Sequence, residues 1–470
     1  MRRRLASSFR GSALAVALVA VGLSITACSG SGSSSHPSGA KSSPATTSTA
    51  PAPVAHAARN SSWATYNGGR ARDGAAPSGP PLGRVRRAWS TPVSGAIYAQ
   101  PLVVGGKVIV AGEDDVVSAL RASDGKSLWH TSLGTPVDGG SLPCGNIDPS
   151  GITGTPVADP ARGLLYVVGF LSGPRHVLFA IGLSDGKVRW QRPIDPPGAD
   201  PSVHQERGAL LLSRGRVYVP YGGLYGDCGQ YHGWVVAVPA SGPTGGLIPY
   251  RVPTGREGGI WAPPGPSADA RGNLYVATGN GSSTTSFDYG NAVIRLSPGL
   301  KVQGYFSPRG GPQLSATDTD LGSTSPVLLP RARAFVAGKD GVGYLLNTSR
   351  LGGIGHQRAS LPLCGGGAFG GIAYARGTLY VPCTGGLVAV RAGGGLRKAW
   401  SQSAVDHSVV IAGRGVWGIG GSTIYQLASS SGRVRFSATV GSPTHFTAPA
   451  IAGGRVFVAA GGRVQAFAGR

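Results

Sequence analysis

From about residue 100 onward the chain is a succession of short apolar runs bounded by glycine-containing turns. No stretch spaces its apolar residues as an amphipathic helix would. One run recurs: Lys107-Val108-Ile109-Val110, Leu164-Leu165-Tyr166-Val167, Arg216-Val217-Tyr218-Val219 and Asn273-Leu274-Tyr275-Val276, then Ala334-Phe335-Val336, Thr378-Leu379-Tyr380-Val381, Gly415-Val416-Trp417 and Arg455-Val456-Phe457-Val458. These eight runs lie 37 to 60 residues apart. Each follows another apolar strand across a turn, as Gln100-Pro101-Leu102-Val103-Val104 does the first, and most lead into a third and a fourth. That period is the one expected of four-stranded propeller blades. The last repeat stops at Val464-Gln465-Ala466-Phe467, one strand short, while Val85-Arg86-Arg87-Ala88-Trp89 precedes the first repeat with no blade of its own. The pattern therefore predicts an all-β, eight-bladed β-propeller over residues 61–470, its last blade closed by the N-terminal strand so that no sheet edge stays free.

The N-terminus reads differently. Arg2, Arg3, Arg4 and Arg10 precede an apolar run from about Ala13 to Ile25, which ends in Thr26-Ala27-Cys28. This run is short for a membrane span and has the layout of an export signal over residues 1–27. It resembles the lipobox of bacterial lipoproteins, which implies that Cys28 becomes a lipidated N-terminus on the extracytoplasmic face of the cell membrane. Residues 28–60 are Ser, Pro, Thr, Ala and Gly with almost no large apolar side chain, the composition of a disordered tether.

The 79 glycines suit a chain of many tight turns. A formal charge of +23, about +19 without the signal's four arginines, draws an exported protein toward anionic headgroups or wall polymers. The cations are scattered along the sequence, with no dense run and no interleaved aromatics, which argues against nucleic acid as a partner.

Apart from Cys28 there are four cysteines, an even count that in an exported chain favours two disulfides. Cys364 precedes the first strand of the sixth repeat and Cys383 ends its second strand, so antiparallel pairing brings them together. Cys144 precedes the second blade and Cys228 follows the second strand of the third, on the same face of neighbouring blades. The favoured pairing is Cys144 with Cys228 and Cys364 with Cys383. No C-x-x-C pair or nearby histidine supports a zinc site.

Ser123-Asp124-Gly125-Lys126-Ser127-Leu128-Trp129, echoed by Ser184-Asp185-Gly186-Lys187-Val188-Arg189-Trp190, resembles the blade-end signature of the pyrroloquinoline-quinone-like (PQQ-like) propeller family. The resemblance spans about residues 63–470, including the leading Trp63-x-x-Tyr66. It implies the fold but not the activity, because the family holds both quinone-dependent dehydrogenases and non-catalytic assembly scaffolds. Strand direction puts Glu206, Asp227, His232, Trp261, Asn280, Asp318, Asp320 and Lys339 on one rim.

Carried over from the dehydrogenases, Trp261 is similar to the floor under the quinone and Asn280, in Thr278-Gly279-Asn280, to a calcium ligand. Asp318 or Asp320 would be the catalytic base and Lys339 the cation touching the quinone. Asn280 also suits a turn and Trp261 inter-blade packing. Other positions depart from the pattern: Cys228 stands where the metal-binding Glu belongs, the vicinal cysteine pair is absent, and no haem motif follows. The sequence has no G-x-S-x-G elbow, Walker loop or H-E-x-x-H helix. The reading is a monomeric, non-catalytic binding or scaffolding module, without cofactor, whose partner is an envelope protein, peptide or wall polymer. The alternative is a PQQ- and calcium-dependent alcohol or sugar dehydrogenase.

Overall fold

In the computed structural model, described over residues 62–470, the eight repeats form eight antiparallel sheets arranged as propeller blades. The leader, Cys28 and the tether through residue 60 lie outside the described residues. Blade 1 comprises Leu102–Val104, Lys107–Ala111, Val116–Arg121 and Ser127–Ser132, paired in chain order. Blades 2 to 8 begin at Val157, Leu211, Ser267, Val327, Ala373, Val410 and Ala450. The innermost strand of blade 1 is wholly buried, whereas its outermost strand alternates exposed and half-buried positions. This is the burial gradient expected when a sheet is covered on both faces near an axis and opens to water at its outer edge. Blade 8 closes as the pattern predicts. Val85–Pro92 pairs antiparallel with Arg463–Gly469, from Val85 opposite Gly469 to Pro92 opposite Arg463.

The blade-end signature has a packing explanation. The tryptophan closing one blade lies over the turn glycine of the next, so closely that a Cβ on Gly125, Gly186 or Gly432 would sit 2.6 Å from the ring of Trp89, Trp129 or Trp400. Each of these glycines also has a positive φ, about +75° at Gly125, which L side chains rarely adopt. Hydrogen bonds complete the joint: Trp89 Nε1 donates to Ala122 O at 3.1 Å and Thr91 Oγ1 to Gly125 O at 2.8 Å. Because Trp89 belongs to the closing strand, the joint between blades 8 and 1 has the same chemistry as the others.

Residues 63–76 wind around the axis and plug the channel. Trp63 bridges Val103 of blade 1, and the carbonyls of Ala64, Arg70, Ala71, Asp73 and Gly74 accept N–H bonds from Ala158, Ala268, Leu328, Tyr374 and Ile411 in blades 2, 4, 5, 6 and 7. Arg72 at the centre is fully buried. Its guanidinium donates to Pro266 O, Thr65 Oγ1, Tyr66 O and Leu210 O at 2.7–3.0 Å, with no carboxylate partner. Burial lowers its pKa to about 9, which leaves it charged at neutral pH. The cation is thus solvated by three protein carbonyls and one hydroxyl, in a planar fork that lysine cannot reproduce.

Both disulfides form with the pairing favoured by strand position. Cα atoms are 6.1 Å apart in Cys144–Cys228 and 5.3 Å in Cys364–Cys383.

Replacing Arg72 with Met would strand these acceptors in the core at nearly unchanged volume. We expect a loss of about 3–5 kcal/mol in urea unfolding, and Arg72→Lys to recover only part of it.

Candidate functional site

At the rim, opposite the plug, a cavity of ≈ 380 Å³ opens over the channel. Asp227, Trp261, Asn280, Asp318, Asp320 and Lys339 all line it. The two other rim residues do not. Glu206 is buried behind the cavity and packs against Gly154, while His232 lies aside with its backbone N–H on His204 Nε2 at 3.2 Å. Sequence reasoning missed Arg207, Phe369, His445 and Phe446, which complete the wall. His445 and Phe446 occupy the loop before the first strand of blade 8, the same rule that located Trp261, so loop position was the available signal.

Close backbone approach seats these groups. A Cβ on Gly222 would come within 2.8 Å of Trp261 Cβ, and one on Gly338 within 2.8 Å of Asp320 O, so both positions require glycine. Buried Asn291 clamps the loop that carries the two aspartates: its Nδ2 donates to Gly311 O at 3.1 Å and Ser315 Oγ at 2.9 Å, and its Oδ1 accepts from Leu321 N at 2.8 Å. Lys339 N donates to Asp320 O at 2.9 Å, and Cys364 N donates to Gly341 O, tying the second disulfide to the lysine's turn. Cys228 of the first disulfide follows Asp227 directly.

Lys339 organises the charges. Its Nζ lies 2.8 Å from Asp318 Oδ1, 3.3 Å from Asp320 Oδ2 and 5.6 Å from the Trp261 ring centroid. Asn280 Nδ2 donates to the same Asp318 oxygen at 2.8 Å. Burial pulls the ammonium's pKa down, but Asp320 and Asp318 outweigh it and the net shift is upward. Burial pushes Asp320 up to about 7 against the opposing pull of Lys339. On the aromatic side, Trp261 and Phe446 rings are 6.2 Å apart and tilted by 41°, and Phe446 stacks with Phe369 at 6.2 Å. Arg207 lies 5.1 Å over the Phe446 ring. Tyr225, 66% exposed, stands at the mouth.

This donor set falls short of a calcium cage. Asn280 Oδ1 and Asp320 Oδ1 are buried without a hydrogen-bond partner, the one feature in favour of a cation. However, Asp318 is committed to Lys339 and Asn280, and Asp227 accepts the Tyr231 hydroxyl at 2.5 Å. Cys228, which stands where the resemblance to the dehydrogenases would place a metal-binding Glu, is bonded to Cys144. Among the described residues no three His, Cys, Asp or Glu side chains converge as ligands. Calcium takes six to eight oxygens, and an ammonium between the two aspartates already supplies the positive charge there.

The sequence model of the family described as outer membrane protein assembly factor BamB matches residues 84–225. No curated protein matches the chain. Among solved structures, the quinohemoprotein alcohol dehydrogenase from Comamonas testosteroni is similar at TM-score 0.71 and 17% identity, over 88% of this chain and 81% of that one. A europium-containing methanol dehydrogenase is similar at 0.68 and 15%, over 87% and 98%. BamB from Moraxella catarrhalis is similar at 0.56 and 13%, over 82% and 97%. At these identities the likeness establishes a shared propeller fold, common to catalytic and non-catalytic proteins.

Behind Arg207 lies a store of buried acids. Burial raises Glu113 to about 7, opposed by its bonds from Gly151 N at 2.7 Å and Thr153 Oγ1 at 3.2 Å. Burial and then Glu113 raise Asp115 to about 8, and burial lifts Glu206 well above the carboxylate range. These acids bind protons in the fold that the unfolded chain releases above about pH 4, so their contribution to stability is lost as pH rises through 7–8. His204 and His445, lowered first by burial, act in the opposite sense only as pH falls below about 6.5. Stability should therefore rise by about 1–2 kcal/mol from pH 8.5 to pH 7 in calorimetry, and Asp115→Asn should flatten that profile.

Proposed function

We propose that the protein is an exported, membrane-tethered binding propeller, whose rim cavity receives a projecting group of an envelope protein, peptide or wall polymer. One observation carries this reading. Cys228, at the position of the dehydrogenases' metal-binding Glu, is bonded to Cys144, and Lys339 sits between Asp318 and Asp320. A site built for a divalent cation presents carboxylates to it, whereas this one neutralises its carboxylates with its own lysine. What remains is a recess of a size common in ligand sites, with aromatic walls and charges of both signs. Such a recess suits holding a polar or aromatic group in a set orientation. The likeness to BamB agrees with an envelope partner, and that to the dehydrogenases with a rim that once suited other chemistry.

The test is titration of the purified protein with pyrroloquinoline quinone and either calcium or a lanthanide, followed by absorbance and a dye-linked assay on alcohols and aldoses. We expect no saturable spectral change and no turnover. Saturable binding with turnover that Asp318→Ala abolishes would make the protein a dehydrogenase.

Tethering is tested separately. Cys28→Ser should remove lipid labelling and release the exported protein from the membrane fraction at high salt. Retention of the variant under those conditions would refute lipidation as the anchor.

A further inference from the structure

The cations that are scattered along the sequence are not scattered on the fold. Every blade carries at least one at the turn between its first and second strands, and these turns all lie on the face that holds the plug. Arg162, Arg214, Arg271, Arg331, Arg376 and Arg414 are exposed there in blades 2 to 7. Blades 1 and 8 contribute Lys107 and Arg455, half-buried. One residue per repeat in sequence becomes a ring in space.

The carboxylates are distributed the other way. Of the chain's twenty, only Asp73, Asp124, Asp159, Asp185 and Asp269 lie on the turn face or in its plug, and the remaining fifteen are in rim loops. Asp159 pairs with Arg162 at 2.7 Å, and Asp269 is occupied by the Arg271 and Asn273 backbone N–H groups at 2.9 Å. Among the described residues, the side chains of Arg271, Arg331, Arg376 and Arg414 make no ion pair or hydrogen bond. Leu128, Val188, Val302 and Val434, four of the six large apolar side chains left exposed among the described residues, lie at the turn-face ends of fourth strands, around the outside of this ring. The chain also enters here: the antiparallel bridge of Trp63 to Val103 directs residue 62 toward the Gly105-Gly106 turn.

We infer that the turn face is a docking surface for an anionic lipid bilayer, which it meets with its arginine ring and apolar perimeter while the rim cavity faces away. Three observations favour a bilayer over a soluble polyanion. The cations form a ring on one face rather than a groove, apolar side chains border them, and the segment leading back toward Cys28 leaves from the same face. A tether alone would leave the propeller free to tumble. Adding a basic surface supplies the second signal that stable membrane association takes, at about fivefold in affinity per cation near the headgroups. The orientation rests on the tethered reading proposed above, but the attraction does not.

The test therefore uses the full chain carrying Cys28→Ser, which keeps the whole ring and plug and has no lipid anchor. Co-sedimentation with phosphatidylcholine vesicles, with and without phosphatidylglycerol, should show binding only to the anionic vesicles, weakening as salt rises. Changing Arg271, Arg331, Arg376 and Arg414 together to Gln, with an unchanged melting temperature, should weaken it by roughly six-hundredfold. Equal binding by that variant, no binding to anionic vesicles, or binding to soluble polyglycerol phosphate but not to vesicles would each overturn the proposal. None of these outcomes bears on the quinone titration.

Discussion

The architecture depends on covering the ends of a ring. Eight sheets around an axis leave two hazards: an unpaired edge where the chain's ends fail to meet, and a channel lined by inner strands whose backbone groups face one another across a void. One continuous segment handles both. Residues 63–76 pass from blade to blade in the channel and Val85–Pro92 then completes blade 8, so channel filling and ring closure are consecutive events along the chain. Arg72 anchors the first of these, the plug. Its fork ties the plug to carbonyls beside blades 3 and 4, and its charge is tolerated in the core because four acceptors surround it. A propeller closed in this way can carry elaborate rim loops without each loop having to stabilise itself.

That division of labour accounts for the two faces. On the turn face, the first hairpin of every blade spans only two to five residues, so a residue type favoured there is repeated around the axis. On the rim, the long connections and second-to-third-strand loops differ in every blade, and the acids, aromatics and disulfides accumulate there. The Cys364–Cys383 bond and the Asn291 clamp fix two loops that contribute charged groups to the cavity. Lys339 can then hold Asp318 and Asp320 at short distances without a metal.

The blades were legible in the sequence because their spacing is dictated by a repeated packing joint. A tryptophan must land on a glycine in the next blade, as Trp129 does on Gly186, and that requirement leaves a residue pattern behind. The closing strand followed from the strand left over at one end and missing at the other, and the disulfide pairing from strand direction. Trp261, Asn280, Asp318 and Lys339 could be assigned to one rim for the same reason. Which rim residues turn inward could not be read, since Glu206 and Arg207 are adjacent and only the second lines the cavity. Nor could the plug's hub. Arg72 has no sequence neighbour that marks it, and its role comes from carbonyls contributed by residues as distant as Leu210 and Pro266.

The same limit explains why charge read along the chain looked diffuse. In a linear sequence a cluster is a run, and this chain has none. In a closed repeat, however, neighbours in space are one period apart in sequence, so the informative quantity is charge at a fixed phase of the repeat. Taken at the phase of the first turn, arginine or lysine recurs in all eight blades. Taken at the phase of the rim loops, aspartate and glutamate predominate. A propeller thus converts a weak periodic preference into two faces of opposite character, and each face then acts over its own area. The cavity selects by shape and specific contacts at one place, whereas the basic face acts through many weak, salt-screened contacts.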